Sequence, residues 1–113
     1  VGRPMAMELL NAGATVQVCH KETKDITQKS KSADVIIAAA GVANLVKSDW
    51  VKEGAVIIDV GINRLEDGTL AGDVDFDDVK DKVSAISPVP GGVGPMTIAV
   101  LLENTLIAYQ ARL

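Results

Sequence analysis

The sequence predicts an α/β fold, a doubly wound parallel sheet with helices on both faces. Three observations carry that prediction. Apolar, β-branched runs alternate with stretches of helical spacing along all 113 residues. Two of those runs, the continuously apolar VIIAAA at 35–40 and AVIIDV at 55–60, apolar but for Asp59, read as strands buried on both faces. Three of the four predicted strand ends carry glycine, where backbone can approach a ligand closely.

The elements follow in order. Pro4 suits a helix start, and Met5, Ala6, Leu9, Leu10 and Ala12 follow at helical spacing until Gly13 stops it, so a helix is expected over 4–12. TVQVC at 15–19 alternates and is β-branched, which reads as a strand. Residues 25–32 are helix-compatible, with Asp25 as N-cap. The run at 35–40 is the next strand, 49–52 a helical turn closed by Gly54, and 55–60 a further strand ending at Gly61. Asp67-Gly68 signals a hairpin between Arg64-Leu65 and Thr69-Leu70. Residues 77–82 read as a short charged helix and 84–87 as a last brief strand. The longest helix spans 95–112, with an apolar stripe of Ile98, Leu101, Leu102, Thr105 and Tyr109. A doubly wound domain ordinarily opens on a strand, and this chain opens on a helix. The first strand and its phosphate-binding turn are therefore expected upstream of Val1.

Composition excludes several function classes. Fifteen acids against eleven bases give a net charge of -4, the wrong sign for a nucleic-acid or anionic-membrane binder. Trp50, Phe76 and Tyr109 are the only aromatic residues, too few for a base-stacking platform. Cys19 is the only cysteine and His20 the only histidine, which argues against a zinc site and for a reducing, cytoplasmic setting. The longest apolar stretch, 35–43, falls well short of the about 20 residues that cross a bilayer.

Ligands of open α/β sheets bind outside the carboxyl ends of the strands. Those ends are His20-Lys21-Glu22-Thr23, Ala40-Gly41-Val42, Gly61-Ile62-Asn63 and Pro88 through Gly94. Gly91-Gly92-Val93-Gly94-Pro95 follows a strand and opens a helix, so its N–H groups could face a ligand. It is neither a Walker A loop nor G-x-G-x-x-G, since Thr97 stands at the third glycine position. Asp59, inside an apolar run, reads first as a structural acid held by backbone amides or a base, and second as a catalytic base. Asp73, Asp75, Asp77 and Asp78 lack calcium-loop spacing and read as a solvated acidic face with an N-cap; no metal is expected.

Five blocks, in order along the chain, resemble one family. They are Val1-Gly2-Arg3-Pro4-Met5-Ala6, Val60-Gly61-Ile62-Asn63-Arg64, Gly72-Asp73-Val74-Asp75-Phe76, the run Ser87 to Thr97, and Leu102-Glu103-Asn104-Thr105. The family is the bifunctional methylenetetrahydrofolate dehydrogenase/methenyltetrahydrofolate cyclohydrolases. The resemblance implies a two-domain enzyme of one-carbon metabolism, of which residues 1–113 are a partial NAD(P)-binding Rossmann domain. It places the folate-binding domain and the catalytic lysine upstream, so no catalytic residue is expected in this chain.

Carried onto this sequence, the resemblance assigns Gly2, Arg3 and Pro4 to the end of the phosphate loop. It assigns His20 and Lys21 to the adenosine ribose, Ala40, Gly41 and Gly61 to the cofactor crevice, and Ile62 to the nicotinamide end. Pro88, Val89, Pro90, Gly91, Gly92, Val93, Gly94, Pro95 and Met96 would form the loop where pterin and nicotinamide meet, with Thr97 behind it. A base, Lys21, after the strand expected at 15–19, the second of the fold once the upstream strand is counted, favours NADP over NAD, although Glu22 argues the other way. Tetrahydrofolate derivatives are the expected partners, and the projecting hairpin suggests a homodimer. The rival readings are the nucleotide-binding module of another dehydrogenase and a non-catalytic receiver-type signalling domain. The Pro-Gly-Gly-Val-Gly-Pro block argues against the first, and Pro90-Gly91-Gly92 in place of a lysine after the last strand argues against the second.

Overall fold

The computed structural model describes all of residues 1–113. Its centre is a three-stranded parallel sheet, order β1-β2-β5. Strand β1 (Val35–Ala38) runs beside β2 (Val56–Asp59), with Val35 opposite Val56 and Ala38 opposite Asp59. Strand β5 (Ala85–Ile86) lies on the other side of β2, with Ile57 opposite Ile86. The middle strand is the most buried, as its apolar run Val56–Ile58 requires, and the burial extends to Asp59 at its end. Ile57 is fully buried and packs in a core with Ala38, Val46, Val51, Ala55, Val74 and Val79.

A separate antiparallel pair, β3 (Asn63–Arg64) and β4 (Leu70–Ala71), forms the hairpin. Gly68 at φ 84° makes its turn, and the Leu65 N–H donates to the Thr69 carbonyl at 2.9 Å. The strip after β4 then runs alongside the loop after β1, with a parallel bridge between Val46 and Val74. It ends in α3 (Phe76–Val79), whose N-cap Asp75 accepts from the Asp78 N–H. A second brace holds the far end of that strip. Lys47 pairs with Asp75 at 3.0 Å, which raises the lysine above its ordinary value. The Ser48 N–H donates to Asp78 Oδ2 at 2.8 Å and holds that carboxyl below the usual carboxylate range. The folded state thus favours ionised Asp78, a contribution present at neutral pH and lost as pH falls through the lowered value.

Several boundaries differ from the sequence expectation. Helix α1 covers Gly2–Asn11, so Pro4 is its third residue, still within the first turn, where an N–H has no intrahelical partner. Gly13 stops it as expected, at φ 89°. Helix α2 is only Ile26–Ser30; Asp25 stands at its N-cap but is left-handed, at φ 55°, and makes no side-chain cap bond. What anchors α2 is Ser30 Oγ, which donates to the Trp50 carbonyl at 2.7 Å. Helix α4 begins at Val93, two residues before Pro95, and runs to Gln110.

The larger correction concerns residues 15–19, which form no strand. Their alternation is suited to one, but a strand exists only when a neighbour takes its hydrogen bonds. Strand β1 pairs on one side only, and Val18 and Val35 are both more than half exposed. The amphipathic reading of α4 also fails. Apolar residues lie all round it, none is buried, and the expected stripe residue Leu101 is 64% exposed.

Gly72 makes the sharpest local demand. A Cβ there would lie 1.9 Å from Asp59 Oδ2. Overpacking a well-packed site costs about 1–3 kcal/mol. Gly72→Ala is therefore expected to lower the melting temperature by about 4 °C or more. Calorimetry showing an unchanged transition would contradict that geometry.

Candidate functional site: the carboxyl ends of the strands

The parallel ladder brings the carboxyl ends of β1, β2 and β5 to one side of the sheet, where ligands of such sheets bind. Two buried acids join those ends. Asp59, the last residue of β2, accepts from three backbone N–H groups. Gly61 donates to Oδ1 at 2.9 Å, Asp73 to Oδ1 at 3.0 Å and Val74 to Oδ2 at 3.0 Å. The Asp59 N–H in turn donates to Ser87 Oγ at 2.8 Å, which fastens the end of β5. No ion pair involves Asp59, so of the two structural options the amides hold it, with both of its oxygens engaged.

Asp73 does for β1 what Asp59 does for β2. Its Oδ2 accepts from the N–H groups of Ala40 at 2.6 Å and Gly41 at 2.8 Å. Its Oδ1 accepts from the Asn63 side-chain amide at 2.8 Å. Asp73 is fully buried, which corrects its assignment to a solvated acidic face. Charge pattern places it there, because four acids in six residues look like a surface. The signal that separates it from the others is its setting between Gly72 and Val74, both buried. No buried side-chain nitrogen or oxygen in the structure lacks a hydrogen-bond partner.

The two carboxylates also explain two glycines. Gly61 is pressed on Asp73, where a Cβ would sit 2.2 Å from Oδ1, just as Gly72 is pressed on Asp59. Gly61 is buried, so close packing inside the protein accounts for it. Gly41 differs: it has φ 70°, is exposed, and its missing Cβ faces open space. Its backbone and that of Ala40 border the crevice, but their N–H groups are committed to Asp73.

The remaining expected site residues fall around this centre. Gly2, at the start of α1, has open room except for Ala39 Cβ, 3.6 Å from where its own Cβ would be, so the helix N-terminus sits over the end of β1. Arg3 and Pro4 are exposed beside it, and Ile62 is exposed at the end of β2. His20 and Lys21 are exposed in a turn closed by Thr23, whose N–H donates to the His20 carbonyl at 2.8 Å and whose Oγ1 accepts from the His20 N–H at 2.9 Å. That turn sits at the end of the unpaired 15–19 segment, and no hydrogen bond ties it to the other strand ends.

The loop after β5 runs from Pro88 over a cis Val89–Pro90 bond to Gly91 at φ 95° and Gly92. Gly92 caps α4 with φ -98°, so its backbone is not of the left-handed kind. What a side chain would meet there is the Pro88 carbonyl, whose oxygen lies 2.3 Å from where a Cβ would stand. Val93, Gly94 and Pro95 form the first turn of α4, uncapped by any side chain, and Gly94 has open space around its missing Cβ. Met96 and Thr97 lie one turn in and are exposed, the Thr97 hydroxyl donating back to the Val93 carbonyl at 3.1 Å. A shallow pocket beside this loop is lined by Asn44, Asp59, Gly72, Phe76 and Val89.

A parallel sheet with glycine-bearing strand ends drawn together, and an uncapped helix N-terminus beside them, defines a nucleotide-binding α/β domain. Comparison with known proteins makes this specific. Residues 1–113 match the family described as tetrahydrofolate dehydrogenase/cyclohydrolase, NAD(P)-binding domain, and the chain belongs to it. It is 65% identical over its whole length to the bifunctional protein FolD of Campylobacter jejuni strain RM1221 and covers 40% of that protein. A crystal structure of the Campylobacter jejuni bifunctional enzyme superposes with a TM-score of 0.97 at 64% identity, covering 100% of this chain and 40% of that one. A Trypanosoma brucei dehydrogenase-cyclohydrolase solved with NADP and an inhibitor gives 0.91 at 41% identity, covering 98% and 40%. The chain thus spans about two fifths of the length of the relatives it matches.

The loop geometry generates a test. Gly92→Val is expected to displace the Pro88 carbonyl, and with it the loop after β5, while the parallel sheet stays folded. Unchanged backbone chemical shifts over residues 88–91 would contradict that geometry.

Proposed function

We propose that the parent protein oxidises 5,10-methylenetetrahydrofolate to 5,10-methenyltetrahydrofolate with NADP⁺, then hydrolyses that product to 10-formyltetrahydrofolate, and that this chain supplies the cofactor domain. The observation that carries the reading is the joined set of strand ends, in a chain that belongs to this family from end to end. The nicotinamide, when bound, accepts the hydride that leaves the folate methylene carbon. The chain's own residues position the two reactants, which is where such an enzyme gains its rate. Ala40 and Gly41 would border the dinucleotide, Gly2, Arg3 and Pro4 would face its phosphates, and Ile62 would lie against its nicotinamide end. Pro88 through Met96 form the wall on which pterin and nicotinamide meet, with Thr97 behind. Open backbone at Gly41 and Gly94 fits a ligand pressed close to the main chain.

The catalytic lysine and most folate contacts belong, in this reading, to a domain upstream. None of the lysines near the sheet is free to replace it: Lys47 is paired with Asp75 and Lys52 with Asp34. The same upstream part would contribute a strand between 15–19 and β1, giving both their missing hydrogen bonds. It would also cover α4, since a helix apolar all round belongs in an interior. The hairpin β3–β4, with its edges unpaired, would meet its equivalent in a two-fold homodimer. No helix is long and apolar enough to cross a membrane. The lone cysteine fits a protein that acts in the reducing cytoplasm.

Three measurements check this. The parent-length protein should show NADP-dependent oxidation of methylenetetrahydrofolate, and residues 1–113 alone should show neither activity; turnover by 1–113 alone would refute the division of labour. The Lys21 side chain is 91% exposed, its ammonium 4.0 Å from the exposed Glu22 carboxylate, and would turn to a 2′-phosphate. Lys21→Glu should lower the NADP/NAD ratio of kcat/KM by about tenfold, the scale of a lost charged contact; an unchanged ratio removes Lys21 from the site. Light scattering should give a dimer at micromolar concentration, and a monomer would refute the hairpin interface.

A further inference from the structure

We infer that Asp73 is a positioning residue for dinucleotide binding: through the Ala40 and Gly41 N–H groups it sets the path of the loop that borders the cofactor. The inference rests on the functional reading above and deepens it. Asp73 cannot touch the ligand, since it is fully buried. It acts through the backbone it holds.

The loop after β1 has little else to fix its first residues. Ala39, Ala40, Gly41 and Val42 are exposed, and their small or apolar side chains make no hydrogen bonds. Both N–H groups at the turn end on the single oxygen Asp73 Oδ2. Further along, the Asn44 N–H donates to the Gly72 carbonyl at 3.1 Å and the Val46 N–H to the Asp73 carbonyl at 2.9 Å. The 72–74 strip is therefore the template for the loop, and the Asp73 carboxylate governs the part nearest the strand end. That part includes Gly41, whose left-handed φ of 70° is held where its bare face meets open space.

The position of Asp73 is fixed independently. Its own N–H is bound by Asp59, and its Oδ1 is bound by the Asn63 amide from the hairpin. It receives donors only: two amides on one oxygen and a side-chain amide on the other. This pattern demands a carboxylate. An asparagine offers one oxygen and one NH₂ group, so it must turn a donor against a donor on one side. The mismatch can be repaired on the hairpin side. In an Asn63→Asp, Asp73→Asn double variant, the new amide NH₂ would face a new carboxylate, and its oxygen would keep the two loop N–H groups; the one bond given up is the longer one, 3.3 Å, from the Asn63 amide to the Ala71 carbonyl.

The test uses the parent-length protein and three readouts: NADP⁺ dissociation constant by calorimetry, cyclohydrolase turnover, and thermal melting. Cyclohydrolase turnover requires folate but no hydride transfer, so it reports the state of the fold and folate site apart from the cofactor loop. Asp73→Asn should weaken NADP⁺ about tenfold, as expected for lost hydrogen bonds to a charged acceptor. Cyclohydrolase turnover should stay within about twofold, since hydride transfer is not involved. The double variant should recover NADP⁺ affinity to within about threefold of the wild type, as coupled partners do in a mutant cycle. Unchanged NADP⁺ affinity in a folded Asp73→Asn protein would overturn the inference and leave the functional reading standing. Parallel loss of NADP⁺ affinity, cyclohydrolase turnover and melting temperature, with no recovery in the double variant, would also overturn it and make Asp73 a purely structural residue. Failure of the wild-type protein to bind NADP⁺ would sink the functional reading, and this inference with it.

Discussion

Two carboxylates sit inside this domain with no cation beside them, and the rest of the strand-end architecture depends on how they are satisfied. A buried charge is tolerated only when hydrogen-bond donors surround it. Asp59 has three backbone N–H groups and Asp73 two, with an amide as the third. The donors come from separate stretches of chain, so satisfying the acids forces those stretches together. Removing either acid would orphan donors that cost about 1–3 kcal/mol each when left unpaired away from water. The two acids are linked to each other as well, because the N–H that Asp73 donates ends on Asp59.

This constraint reaches the function through backbone. The ends of β1, β2 and β5 would otherwise be three separate loops. Asp73 draws in the first, Asp59 the second, and Ser87 ties the third to Asp59. Reciprocal glycines make the approach possible: Gly61 against Asp73 and Gly72 against Asp59 leave no room for a side chain. The crevice is thus shaped by acids that never reach it. Surface charge contributes less, since pairs such as Lys80 with Asp77 are exposed and screened.

Much of the fold is legible in the sequence because its signals are local. The apolar runs at 35–40 and 55–60 could be little else than buried parallel strands, and Gly13 and Gly68 adopt the left-handed conformation that a helix stop and a hairpin turn require. Asp59 is legible as a structural acid because an apolar run surrounds it. The segment at 15–19 misleads for a physical reason: alternation shows what a segment is suited to, while a ladder needs a partner. Asp73 escapes a sequence reading because burial of one acid in an acidic run is decided by residues 32 and 33 positions away, at Gly41 and Ala40. The left-handed position in the last loop is Gly91 rather than Gly92, and no composition rule separates two adjacent glycines. The family resemblance implies a cofactor crevice at these strand ends, and only the folded structure shows that the N–H groups of Ala40 and Gly41 are already taken.

Buried carboxylates, rather than a ligand, hold the strand ends in place. Residue-resolved amide hydrogen exchange on the ligand-free parent-length protein tests this most directly. The N–H groups of Ala40, Gly41, Gly61 and Asp73 lie in loops and turns and that of Val74 in an isolated bridge, all outside the named strands, yet each ends on a carboxylate. All five should exchange as slowly as the strand residue Ile57, opening only with the sheet. Exchange as fast as that of Gly68 at the hairpin tip would show that these bonds do not persist, and that the crevice is organised by something else.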